Sequence, residues 1–281
     1  MTMAASSLMQ IAPRERYRDV AHTRWPVAIE PHADELLSSW LHRLAHANGV
    51  APRDFAQVLG LRQGMWSARL DVRLPKEVLN RLSERSGFPN DRLLSLALQP
   101  RDYRRMPLPL HIKARRAASM WLQFCPACLA SDEHPYFRKR WRHSTGISCF
   151  IHGCGLRDRC PSCHHGIAAF AQPRLVAQYV CACCAYDLRR ASKVPVTIEA
   201  QFFDLALSRS IVCAADLIAM IRPSNGSKRG DVVAHLPAMS VSRRIRLFES
   251  FIPDDASREE CFDLPIRRRS PAYGPRGPAR S

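Results

Sequence analysis

The stretch from Cys125 to Cys184 constrains this chain more than any other part of it. It holds nine of the eleven cysteines. Within it stand Cys125-Pro-Ala-Cys128, Cys149-Phe-Ile-His152, Cys160-Pro-Ser-Cys163 and Cys181-Ala-Cys183-Cys184, four pairs with two residues between the outer members. Two donors so spaced sit on one tight turn and point at one ion, and a second pair closes the tetrahedron. Eight donors therefore fill two structural zinc sites. Pairing neighbours in sequence puts Cys125, Cys128, Cys149 and His152 on one ion and Cys160, Cys163, Cys181 and Cys184 on the other. An interleaved arrangement, with the first and third pairs sharing an ion, stays open. Twenty residues separate the inner ligands of the first site and seventeen those of the second; the latter is a usual zinc-ribbon spacing.

Other cysteine chemistries fit less well. A disulfide framework needs an oxidising compartment and is commonest in short secreted chains. This chain has 281 residues, and Met1–Gln10 lacks the basic start and apolar core of an export signal. A catalytic zinc keeps one position open, whereas both sets offer four protein donors. The deaminase signature, His-x-Glu followed by Pro-Cys-x-x-Cys, is absent. Cys154 and Cys183 lie inside the cluster and are read as spares that could substitute for a ligand. Cys213 and Cys261 stand apart as packing or surface thiols.

Composition adds a partner class. Lys and Arg total 42 against 25 acidic residues, a net charge of +17 carried mainly by arginine. Such a surplus suits a polyanion, because each phosphate neutralised releases counterions. A solvated basic surface gives the same number, but beside zinc sites the charge points to nucleic acid. No apolar run reaches bilayer length, so no membrane partner and a cytoplasmic location are expected.

The expected fold is mainly α with small zinc-ribbon β elements. Residues 1–24 read as a flexible leader and 25–118 as an N-terminal helical domain. Residues 119–194 are the tandem zinc-binding region, 195–263 a C-terminal helical segment and 264–281 a disordered basic tail. A helix opens around Pro31–Glu35 with Asp34 as N-cap, carries Leu36, Leu37, Trp40, Leu41 and Leu44 on one face, and ends at Asn48-Gly49. A second starts near Pro52 and closes at Gly60. Helices over 75–98, with Ser86-Gly87-Phe88-Pro89 between them and Asn90 as a cap, have the shape of a helix-turn-helix, which any helical hairpin shares. Ser38 and Ser39 lack a partner base and are not nucleophiles. Further helices are expected over 199–222 and 242–251, the latter with Arg243, Arg244 and Arg246 on its polar side.

Two basic groups stand out as nucleic-acid candidates: Arg115 and Arg116 in the connector, and Arg138, Lys139, Arg140 and Arg142 in the loop between the ligand pairs of the first site. That loop also carries Tyr136, Phe137 and Trp141. Aromatics among arginines stack on bases, yet a zinc ribbon also needs them to build its small core.

With these residues in view, the chain resembles the TniQ family of transposition proteins. The matching pieces are Pro31–Leu44, Leu82-Ser-Glu-Arg-Ser-Gly-Phe-Pro89, Cys125–Asp132, Pro135–Trp141, Cys149-Phe-Ile-His-Gly153 and Cys160–Cys163. They stand in the family's order over roughly residues 25–190. The resemblance implies a non-catalytic adaptor that binds DNA or a guide-RNA effector complex, helps select the target site, and recruits an AAA+ ATPase and through it a DDE transposase. It implies zinc on the same eight residues. It also implies a partner contact around Trp25 and Trp40. A zinc-ribbon nucleic-acid-binding or scaffold protein without a transposition role is the alternative. A metal-dependent nuclease is further off: no enzyme is expected, since neither a phosphate loop nor a two-metal set of carboxylates is recognisable among acids such as Asp34, Asp71, Asp132 and Asp158.

Overall fold

The helical part forms where apolar residues recur at helical spacing. In the computed structural model, which describes residues 24–58, 68–99, 108, 122–167, 172–209 and 236–250, five helices precede the cysteines. They are α1 (Leu37–Ala47), α2 (Pro52–Val58), α3 (Ala68–Val72), α4 (Lys76–Ser86) and α5 (Asn90–Leu96). Leu37, Trp40, Leu41 and Leu44 of α1 meet Phe55, Leu70, Val78, Leu79, Leu82, Leu93 and Leu96 in one buried cluster. Trp40 is fully buried; its indole donates to the Ile29 carbonyl at 2.8 Å and its ring stands edge-on to Phe88. Helices α4 and α5 pack on each other across the short turn that holds Gly87, Phe88 and Pro89.

The start of α1 differs from the sequence expectation. Asp34 lies in the turn before the helix; Leu36 is the N-cap and gives no side-chain hydrogen bond. The free amide of Ser38 is instead met by Asp71, thirty-three residues on, with its Oδ1 at 2.8 Å, while Ser38 Oγ donates to Oδ2. A carboxylate from another element can satisfy a helix N-terminus as well as a local cap, and spacing along the chain carries no trace of it. Asn90 likewise opens α5 as its first residue, with Pro89 in the cap position.

The second cluster is built around the cysteines. Helix α6 (Pro126–Ser131), a 3-10 turn at Lys139–Arg142 and the two-stranded antiparallel pair β1 (Ser148–Cys149) and β2 (Cys154–Gly155) surround Phe124, Phe137, Trp141 and Leu156. Phe137 and Trp141 pack edge to face at 5.9 Å and are buried, so these two aromatics are core. Helices α7 (Ile198–Arg209) and α8 (Val241–Glu249) close the cluster through Ala200, Val241, Ile245 and Phe248. A Cβ at Gly155 would come within 2.8 Å of Ile245 Cδ1 and 3.0 Å of Val194 Cγ1, so only glycine lets α8 approach this strand.

Buried polar groups tie the two clusters together. The backbone of Asp34–Leu36 pairs with Phe137–Lys139, through Leu36 N–H to Phe137 O at 3.0 Å and Lys139 N–H to Asp34 O at 2.8 Å. Helix α8 starts on a distant carboxylate too, with the Val241 amide donating to Asp158 at 2.9 Å. Arg244, expected on the polar side of this helix, is fully buried and donates to the Ser144 and Met239 carbonyls and to Gln123 Oε1. All the described residues fall within one compact unit, Met1–Phe251. The expected 199–222 helix is described only as far as Arg209, and the leader before Arg24, the connector with Arg115 and Arg116, Cys213, Cys261 and the tail lie outside the described residues.

Candidate metal centres

Local backbone geometry delivers each ligand pair. Cys125 caps α6, its sulfur accepting from the Cys128 amide, and Pro126 begins the helix. One turn of helix thus carries both thiols to the same side. Cys149 ends β1, and a turn returns the chain through His152 to Cys154 on β2. In the second set, amide-to-carbonyl bonds from His164 to Cys160 and from Ala185 to Cys181, 2.9 and 3.0 Å, close two similar turns.

The structure gathers the eight residues into two sets with neighbours in sequence paired: Cys125, Cys128, Cys149 and His152, and Cys160, Cys163, Cys181 and Cys184. Within each set all donor atoms lie within 4.8 Å of one another. Zinc–sulfur bonds of about 2.3 Å give tetrahedral edges of about 3.8 Å, and edges to an imidazole nitrogen are slightly shorter. In the first set Cys128 and Cys149 sulfurs are 3.4 Å apart. Nδ1 of His152 lies 3.7, 3.3 and 3.6 Å from Cys125, Cys128 and Cys149. In the second set Cys160–Cys184 and Cys163–Cys181 measure 3.6 and 3.7 Å. These are ligand-edge lengths, far longer than a disulfide bond of about 2.05 Å, and all nine cysteines of the stretch are free thiols. Three thiols with one imidazole, and four thiols, are donor sets that suit zinc. Such an ion would fold and stiffen the region; with four protein donors in each set, no position is kept for substrate.

The thiols of the first set sit in each other's fields. Hydrogen bonds from Cys128, Cys149 and Cys154 hold Cys125 far below the ordinary thiol value. Contact with Cys125 pushes Cys128 and Cys154 up. In the more open second set, burial raises Cys184, but the Tyr186 amide and the thiols of Cys163 and Cys160 outweigh it and bring Cys184 down to about 7.

The basic loop turns much of its charge inward. Arg138 is 7% exposed; it clasps Asp132 with two hydrogen bonds of 3.0 Å and lies over the rings of Tyr136 and Trp141. Arg142 is fully buried, donating to the Leu108 carbonyl and facing Asp71 at 3.8 Å. Arg140 covers the Phe150 ring at 3.6 Å and meets Asp204 at 3.4 Å, and Lys139 donates to the Ser95 carbonyl. Lys139 and Arg140 are half-buried and keep some surface. Of the partner candidates, Trp40 is in the helical core, while Trp25 is half-buried against Phe55 at 5.0 Å.

The acids named in the sequence also serve the fold. Asp34 accepts from Tyr136, Asp132 holds Arg138, Asp71 caps α1 and Asp158 caps α8. Sequence reading missed Asp204. It is fully buried and accepts from the Ile147 and Ser148 amides and the Ser148 hydroxyl at 3.0, 2.8 and 2.7 Å. Burial pushes its carboxyl up, against Arg140 and these donors. One signal was available, a charge set in the apolar run Phe202-Phe203-Asp204-Leu205.

Fold and site together define a helical, Cys/His-clustered protein whose ligand sets are structural in kind. Residues 26–156 match the TniQ family model, a span that holds the helical part and the first ligand set. The match supports a transposition-associated role. No curated protein matches the chain. Among the described residues, no helix is long and apolar enough to cross a membrane.

Proposed function

We propose that this protein is a non-catalytic adaptor of transposition, which helps choose the target site on DNA and recruits an AAA+ ATPase and, through it, a DDE transposase. The observation that carries the reading is the TniQ match over residues 26–156. The net charge of +17 supports a polyanionic partner, DNA itself or a guide-RNA effector complex. The eight cysteine and histidine donors would hold two zinc ions, which fix the loop and the C-terminal helices against the helical domain. Trp25, Lys139 and Arg140 stay in the proposed contact set, as do Arg115 and Arg116. For Arg138 and Arg142, a nucleic-acid role would act through the loop they brace.

The experiment is a filter-binding series with the full-length protein and duplex DNA at several salt concentrations. The expected result is binding at low salt that falls linearly in log–log form, as phosphate contacts demand, with no nucleotide hydrolysis. No binding at low salt, with or without the ATPase, would sink the DNA arm. A second reading is favoured by the inward-turned arginines of the loop: a zinc-stabilised scaffold that meets DNA only through its partners. Charge reversal at Lys139 and Arg140 separates the two, because the adaptor loses DNA affinity and the scaffold does not.

A further inference from the structure

Cys149 and Cys154 stand opposite each other on the β1–β2 pair. Directly opposed residues of an antiparallel pair project to the same face, so the hairpin that delivers the ligand Cys149 delivers a second thiol beside it. Cys154 is 3% exposed. Its sulfur lies 3.7 Å from the Cys125 sulfur, the edge length of about 3.8 Å expected between two zinc-bound thiolates. Gly153, between His152 and Cys154, has φ of 58°. This left-handed conformation is cheap only for glycine, and it reverses the chain so that both neighbours turn toward the same thiols. His152 is half-buried and follows Ile151, which is 70% exposed. Cys125, Cys128, Cys149 and His152 lie mutually within 4.8 Å, Cys154 stands just outside that set against Cys125, and the ligand nearest solvent is the imidazole.

We propose that Cys154 is the reserve ligand of the first metal centre. With His152 in place, Nδ1 touches the three other ligand sulfurs, and the Cys154 thiol donates to Cys125. When His152 swings out toward solvent, the Cys154 sulfur takes the vacated position. One metal–nitrogen bond is exchanged for one metal–sulfur bond, and the thiol proton passes to the released imidazole. The loop can then move His152 without losing the ion that holds β1, β2 and α6 together. The idea concerns the ligand set alone and stands whether or not the protein binds DNA.

The test uses full-length protein loaded with cobalt(II), whose absorption reports the number of thiolates bound. The parent should bind two ions with seven thiolates. His152→Ala should still bind two, with thiolate-to-cobalt absorption raised by about one-seventh and the visible bands moved to longer wavelength, as imidazole gives way to sulfur. Adding Cys154→Ser should remove the first-site ion, an affinity loss of at least about 100-fold against His152→Ala alone, while the second ion stays as an internal control. His152→Cys in the Cys154→Ser background restores a four-thiolate set and checks that the fold accepts one. If His152→Ala loses its first ion as completely as the double variant, or fails to fold where the restored set folds, Cys154 does not reach the ion and the proposal is overturned.

Discussion

The two ligand sets share one spacing rule and differ in nearly everything around it. In the first, the three thiols are buried beside Trp141, Leu129 and Leu156, and α7 and α8 close over them. In the second, Cys160 and Cys181 are buried, Cys163 is half-buried and Cys184 is exposed, and the ligands are held by turns. The first lies inside the TniQ match and the second beyond it. A Cys-x-x-Cys pair therefore states which residues can share an ion and nothing of what depends on that ion. Both centres contribute to one buried cluster; the first has all three thiols inside it, whereas the second leaves Cys163 half-buried and Cys184 at the surface.

Removing one thiol from each set tests this contrast most severely. Structural zinc contributes about 10–16 kcal/mol of binding free energy that appears as folding free energy. Cys128→Ala, combined with Cys154→Ser to remove the reserve thiol, should abolish cooperative folding of the core around the first set. Cys163→Ala should melt only the segment around the second set and leave a cooperative transition. Circular dichroism melts with metal analysis separate these outcomes, and equal loss in both variants would erase the distinction. Limiting chelator should likewise release one ion fast, from the exposed set, and the other slowly.

A smaller effect is expected one layer out. Asp204 supplies the acceptor for two backbone amides just before Cys149. Asp204→Ala leaves buried N–H groups and Arg140 without it, and should cost about 3–5 kcal/mol. The same substitution should speed loss of the first metal and leave the second unchanged, read by chelator kinetics.

The smallest effect concerns the seam between the helical core and the first centre. Burial pushes Glu35 up to about 7, against Arg43, the His32 amide and the Ser39 hydroxyl. Its ordinary value is about 4.3. A carboxyl raised on folding contributes stability that is complete below the ordinary value and lost as pH rises through the folded one. Between pH 5.5 and 7.5 the parent should lose about 2 kcal/mol that Glu35→Gln does not. Denaturant melts at four pH values measure it, and parallel slopes for parent and variant would remove Glu35 from the account.

Much of this was legible in residues alone. The apolar periodicity of Leu37, Trp40, Leu41 and Leu44, the stop at Asn48-Gly49 and the eight ligands are local signals, because helix faces and tight-turn donor pairs are fixed by neighbours within a few positions. The pairing of ligand sets was open until the fold brought the donors together. Phe137 and Trp141 read equally as stacking platforms or as core, and their burial decided for core. Arg142 read as a nucleic-acid candidate in its basic loop and Arg244 as part of the polar side of its helix, and both became interior donors because carbonyls such as Leu108 O and Ser144 O come to them from distant segments. Asp71 caps α1 from α3 for the same reason.

The sequence by itself determined that two ions could be held, and by which residues, since donor chemistry and two-residue spacing are written locally. It also determined the helical faces and the basic charge. Only the tertiary structure decided that one centre has all its thiols buried while the other keeps a ligand at the surface, which charges face inward, and that a fourth sulfur, Cys154, stands beside Cys125. Those facts depend on which distant segments meet, and burial, not residue type, sets what a thiol or a guanidinium can do once they have met.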